Sequence, residues 1–119
     1  MARYRLSERA RADIIEILAR SEDRFGTEAR DRYEALIAAA LRDVATHRDG
    51  PGSAARPEIG PGVFSWHLRL SRNPSEGATV HRPRHFLIYR LDGEVVVIGR
   101  VLHDAMELRR HLHRHHTWE

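Results

Sequence analysis

Nine histidines and twenty basic residues, every one of them arginine, set the chemistry open to this 119-residue chain. Five of the histidines fall in the last 17 residues: His103, His111, His113, His115 and His116. His111 and His115 stand at the i, i+4 spacing by which two imidazoles on one helix face share a metal ion. The tract lies in a segment with weak helical pattern, so adventitious nickel or zinc binding is expected there, and no dedicated metal or cofactor site. A second set is His85, Arg100 and His103. An imidazole that titrates near neutrality can move a proton to or from a ribose 2′-hydroxyl, and a guanidinium can steady the phosphate. These three are the catalytic candidates if the chain cleaves RNA. The alternative is a solvated surface, with His103 ion-paired to Asp104 or Glu107.

Other chemistries are excluded by composition. Without cysteine there is no disulfide, thiolate zinc site, iron–sulfur cluster or cysteine nucleophile. Without lysine there is no Schiff base and no phosphate-gripping P-loop lysine. The glycines between 50 and 62 alternate with prolines and follow no strand, so they form no phosphate loop. Ser65, Ser71 and Ser75 lack the strand–turn–helix context of a nucleophile elbow.

The elements that must position the candidates can be read from periodicity. Tyr4–Leu6 is a short extended start. Ser7 is placed to cap a helix from Glu8 to Ser21, with Ala10, Ile14, Ile17 and Leu18 as its apolar stripe and Ile15 widening it. Phe25-Gly26 ends it. Thr27 is placed to cap a second helix whose stripe is Tyr33, Leu36, Ile37, Ala40, Leu41 and Val44. The short connection predicts an antiparallel helical hairpin, and two one-faced helices need a sheet to close on. Residues 47–62 read as a mobile loop. Phe64 to Leu70 alternates with period two, hence a half-buried strand. Arg84–Leu91 and Glu94–Val101 are two further strands around Asp92-Gly93, a hairpin signal. Counting outward from that turn pairs Leu91 with Glu94, Tyr89 with Val96, Leu87 with Ile98 and His85 with Arg100. Asp104 to His113 reads as a final short helix, and 114–119 as a frayed tail. The expected fold is a single α+β domain over 1–119, β-α-α-β-β-β-α, with a helical hairpin on a small antiparallel sheet.

Charge is unevenly spread. Residues 1–62 and 101–119 are each neutral, and the whole net charge of +3 sits on 63–100, which suits an anionic partner. No apolar run nears the roughly 20 residues that cross a bilayer, and no export signal follows Met1–Arg5, so a cytoplasmic protein is expected.

Several stretches carry a resemblance: Tyr4-Arg5-Leu6-Ser7 with Ala10, Asp13 and Ile14; Phe25-Gly26 with Ala29, Tyr33 and Leu36; Pro83 to Arg90; and Arg100-Val101-Leu102-His103-Asp104-Ala105-Met106. Together, over about residues 3–112, the chain resembles the ParE branch of the RelE/ParE toxins of type II toxin–antitoxin systems. The resemblance implies a hairpin on an antiparallel sheet, inhibition of DNA gyrase without catalysis, and neutralisation by a cognate ParD-like antitoxin from the same operon, through which the complex contacts DNA. The RelE branch instead cleaves mRNA on the ribosome with basic residues, lysine among them in several members, and often a late tyrosine or histidine; this chain has no lysine and no tyrosine after Tyr89, so His103 and the sheet arginines would have to stand in. On this reading Arg100, His103, Arg109 and Arg110 are candidates for the target surface. Tyr33, Leu36, Ile37, Arg69, Arg72, Arg84 and Arg90 are candidates for the antitoxin.

Overall fold

The computed structural model describes residues 3–72, 80–105 and 117–119. In chain order the elements are β1 (Arg3–Leu6), α1 (Glu8–Phe25), α2 (Thr27–Thr46), β2 (Ala54–Ala55), β3 (Val63–His67), a 3-10 turn (Leu68–Ser71), β4 (His85–Asp92) and β5 (Val95–His103). Of the final helix expected from Asp104 to His113, Asp104 and Ala105 form a turn, and the rest lies outside the described residues, as do His111 and His115.

α1 starts where its cap places it but runs past Ser21 to Phe25, and α2 has Gly26 at its N-cap with no side-chain hydrogen bond there, so Thr27 is its first residue and not its cap. Ser7 Oγ accepts from Ala10 N–H at 3.0 Å, the N-cap bond expected of it. The same hydroxyl donates to the Gly99 carbonyl at 2.8 Å, so the cap also ties α1 to β5. Gly26, the one residue between the helices, has φ +92°. The α2 stripe is buried from Leu36 through Val44. Burying each such large aliphatic chain contributes about 1.5–3 kcal/mol. Ile15, expected to widen the α1 stripe, is instead 65% exposed; α1 turns only Ala10, Ile14, Ile17 and Leu18 toward the core.

The sheet has five strands in the order β1-β5-β4-β3-β2, one more than the sequence pattern predicts. β2 is two alanines too short to announce themselves. The sheet is also mixed: β3, β4 and β5 run antiparallel as expected, but β1 lies parallel to β5. The hairpin α1–α2 is long enough to serve as part of a crossover, which is what a parallel pair requires. β3 ends at His67, not Leu70. The chain then tightens into the 3-10 turn, whose Leu68 is fully buried while Leu70 is 41% exposed. Trp66 Nε1–H donates to Ser71 Oγ at 2.9 Å, and Ser71 donates to Asp43 Oδ2 on α2 at 2.7 Å, which fixes that turn against the helix. The loop 47–62 is tied down: Tyr89 donates to the Arg48 carbonyl, and Arg56 Nε donates to Ser65 Oγ.

Two apolar clusters sit on opposite faces of the sheet. The larger joins the helices to Trp66, Leu68, Leu87, Tyr89, Val96, Ile98 and Val101. The smaller comprises Val63, Phe86, Ile88 and Leu102, with Ile59 and Trp118 against them. The 114–119 tail is therefore not frayed at its end. Thr117 is buried, and Trp118 lies beneath the Arg90 guanidinium at 4.7 Å from the ring centre. The Glu119 carbonyl accepts from Glu8 N–H at 3.0 Å.

The β4–β5 register departs from the simple count. Asp92 pairs with Val95, leaving Gly93-Glu94 as the two-residue loop. A type I′ turn centred on Asp92-Gly93 would need positive φ at Asp92, and no non-glycine residue among those described has it. Gly93, at φ +62°, supplies the first central position of a type II′ turn instead. A bulge beside Ile88/Tyr89 then shifts the pairing again, so Ile88 faces Arg100 and His85 faces His103. The inserted residue flips the alternation of β5. Val101 consequently joins the helix-facing core.

Candidate functional site

His85 and Arg100 are not cross-strand neighbours, because the loop at Gly93-Glu94 shifts the register by two and the bulge by one more, which puts His103 opposite His85. Arg100 turns to α1 and forms a bidentate pair with Asp13, Nε to Oδ2 at 2.7 Å and Nη2 to Oδ1 at 3.0 Å. Asp13 also accepts from Val101 N–H at 2.9 Å. The two side chains are 11% and 14% exposed. The expectation that Arg100 stands exposed at the strand end is therefore corrected: it pins α1 to β5.

The bulge brings together a different set at the end of the sheet. Tyr33 from α2 donates its hydroxyl to His85 Nδ1 at 2.6 Å and accepts from Arg84 N–H at 3.2 Å. The His85 and His103 rings meet edge to face, 5.2 Å between centres. His67 donates from Nε2 to Asp104 Oδ2 at 3.1 Å, and Arg84 Nε donates to Asp104 Oδ1 at 3.1 Å. His67 Nδ1 accepts from Arg69 N–H and His103 Nδ1 from Ala105 N–H. His67 and His103 thus use Nδ1 as an acceptor, which assigns the proton of each neutral ring to Nε2.

Burial sets the electrostatics. It pushes the His85 pKa down to about 4, with the nearby His103 adding to the effect, so His85 is neutral at pH 7. Burial likewise raises Tyr33 to about 12, which keeps its hydroxyl a donor. For Asp104 partial desolvation works upward, but the hydrogen bonds from His67 and Arg84 outweigh it and the net shift is downward. A neutral His85 already bonded to Tyr33 lacks the free lone pair of a poised general base. Among the described residues no group of histidines and carboxylates is arranged to hold a metal.

The cluster lies in a cleft of about 840 Å³ between the tip of the helical hairpin and the sheet end. Arg20, Arg24, Arg32, Arg82 and Arg84 stand in its walls, and Ile17, Tyr33 and Leu102 give it apolar surface. Arg69, Arg72 and Arg84 gather at this end of the sheet, following β3 and preceding β4. Arg90 is at the other end of β4, paired with Val63, and stacks on Trp118. Leu36 and Ile37, expected to meet the antitoxin, are 7% and 3% exposed and present no surface to a partner. Their stripe is one apolar face, and the sheet occupies it. Arg109 and Arg110 lie outside the described residues. The sequence reading missed Asp13, Tyr33–His85 pairing and Trp118. Asp13 had one available signal, a lone carboxylate beside the apolar stripe of α1.

A family model described as "ParE toxin of type II toxin-antitoxin system, parDE" matches residues 4–108. Toxin ParE1 of Caulobacter vibrioides is 34% identical over 113 residues, which cover 94% of this chain and 99% of that protein. A solved structure titled "Chromosomal ParDE TA system from P. aeruginosa" has the same fold at 18% identity and a TM-score of 0.63, over 87% of this chain and 96% of that one.

Proposed function

The chain belongs to the ParE toxin family of type II toxin–antitoxin systems, and from that premise we propose that it inhibits DNA gyrase without catalysing a reaction. Replication then stops until a cognate antitoxin, made from the same operon, masks the toxin. The observation that carries this reading is the match to the ParE family over nearly the whole chain, 4–108. The site is in keeping with it. Burial holds His85 neutral with its pKa pushed down to about 4, and Arg100, the arginine of the RNase alternative, is committed to Asp13.

The antitoxin reading assigns Arg69, Arg72 and Arg84, with the edge of Tyr33, to a segment rich in acidic and apolar residues. A disordered chain can meet such a surface by folding into it or by adding a strand at an open sheet edge. DNA contact by the complex is assigned to the antitoxin, and the cytoplasm is the compartment where gyrase is met. Among the described residues no helix is long and apolar enough to cross a membrane. His103, at the end of β5, is assigned to the target surface, together with Arg109 and Arg110.

The test is to add purified protein to a gyrase supercoiling reaction and, separately, to induce it in cells and follow message integrity. Loss of supercoiling with intact messages is expected. Rapid message cleavage with unaffected gyrase would replace this reading by a ribosome-dependent RNase. Coexpression with the neighbouring gene product is expected to give a complex on size exclusion and restore growth.

A further inference from the structure

The cleft at the hairpin tip carries more positive charge than the fold needs. Its two carboxylates are already occupied: Asp13 by Arg100, and Glu16 by Arg20 at 2.8 Å. Arg24 on α1, Arg32 on α2 and Arg82 before β4 line the same cleft, and among the described residues none of them has an ion-pair partner. Three arginines from separate stretches of the chain, without ion-pair partners among the described residues, thus line one space. The ring of Phe25 stands at the rim, 74% exposed, in contrast to the buried aromatics Trp66 and Tyr89. A large apolar ring left in water beside cations has nothing to do in the fold itself.

We propose that this cleft binds single-stranded nucleic acid, with Arg24, Arg32 and Arg82 on successive phosphates and Phe25 stacking a base. Guanidinium forks match phosphate oxygens in geometry as well as charge. An exposed aromatic beside a cationic groove is the arrangement by which single strands are held without sequence preference, since every base has a π-face. The bare Phe25 ring favours a stacked base over a chain of carboxylates as the occupant. The inference stands on the cleft alone and is independent of whether gyrase is the target.

The experiment is fluorescence anisotropy with labelled oligo-dT and oligo-U of about 12 nucleotides, against the purified chain. Binding is expected to weaken about 20-fold between about 50 and 200 mM salt, as three phosphate contacts on a single strand predict. The triple variant Arg24→Gln, Arg32→Gln, Arg82→Gln should lose at least about 10-fold, and Phe25→Ala about 5- to 100-fold. A control with the same charge loss elsewhere, Arg9→Gln, Arg11→Gln, Arg42→Gln on exposed sites, should lose much less. The two oligonucleotides distinguish a DNA from an RNA source. No binding at low salt, equal losses in both triple variants, or no effect of Phe25→Ala would each overturn the assignment. So would a poly-glutamate peptide of equal charge that binds as tightly as the oligonucleotides.

Discussion

The two faces of the sheet are closed by different means. The helix-facing side is covered by a continuous stripe from α2 and the inner residues of α1, joined to the strands by the Asp13–Arg100 pair. The outer side carries a smaller apolar set, Val63, Phe86, Ile88 and Leu102, and its cover includes Ile59 from a loop and Trp118 from the far end of the chain. One face is closed by periodic local structure and one polar pin. The other relies on single residues from remote positions. The bulge in β5 serves both: it aims Arg100 and Val101 at the helices, and Gly99 leaves room for the Trp118 ring on the other side. A contrast of this kind teaches where a small domain is vulnerable, because the periodic face has redundancy and the face closed by single residues has little.

The sharpest way to break the comparison is at the pin. Asp13→Ala leaves Arg100 in a nearly dry site and Val101 N–H without its acceptor. Removing one partner of a buried pair costs about 3–5 kcal/mol, and urea unfolding should show it. A loss under about 1 kcal/mol would mean that the helical face does not depend on this contact. On the outer face, a Cβ at Gly99 would lie 2.6 Å from the Trp118 ring. Gly99→Ala should therefore cost about 1–3 kcal/mol through overpacking and shift Trp118 emission to the red as the ring is displaced. Unchanged emission would show that the ring does not seat there.

Acid should act on the helical face. His85 is neutral in the fold with a pKa near 4, against about 6.5 unfolded. Its depressed value means that the unfolded chain binds the proton more readily, so stability is complete above about pH 6.5 and falls as the pH drops toward 4. By pH 5 the loss from this group is about 2 kcal/mol. His85→Gln should flatten that part of the pH profile; an unaltered slope would mean that His85 does not govern it. The smallest effect is at the outer rim. Arg90→Gln removes an exposed guanidinium from the Trp118 ring and should cost about 0.5–1 kcal/mol, detectable as a small fall in melting temperature.

Much of this architecture was legible along the chain. The six-position stripe of α2, the Ser7 cap, the break at Gly26 and the β4–β5 hairpin all follow from local rules of spacing and backbone freedom. So did the absence of thiol and lysine chemistry. The target surface was less legible: Arg100 reads from sequence as one more exposed cation, since nothing local says that a carboxylate 87 positions away will meet it.

What the sequence alone determined is the set of amphipathic elements, their order and the excess of arginine, because these depend on periods of a few residues and on composition. The tertiary structure decided which cations are spent inside and which stay exposed. It also decided that His103, not Arg100, stands beside His85, and that Trp118 closes the outer face. The pairing of His85 with His103 turns on two changes of register, the loop at Gly93-Glu94 and one inserted residue in β5. A bulge shifts every later side chain to the opposite face, and its one local mark is Gly99, a glycine within a strand, which does not by itself fix the pairing.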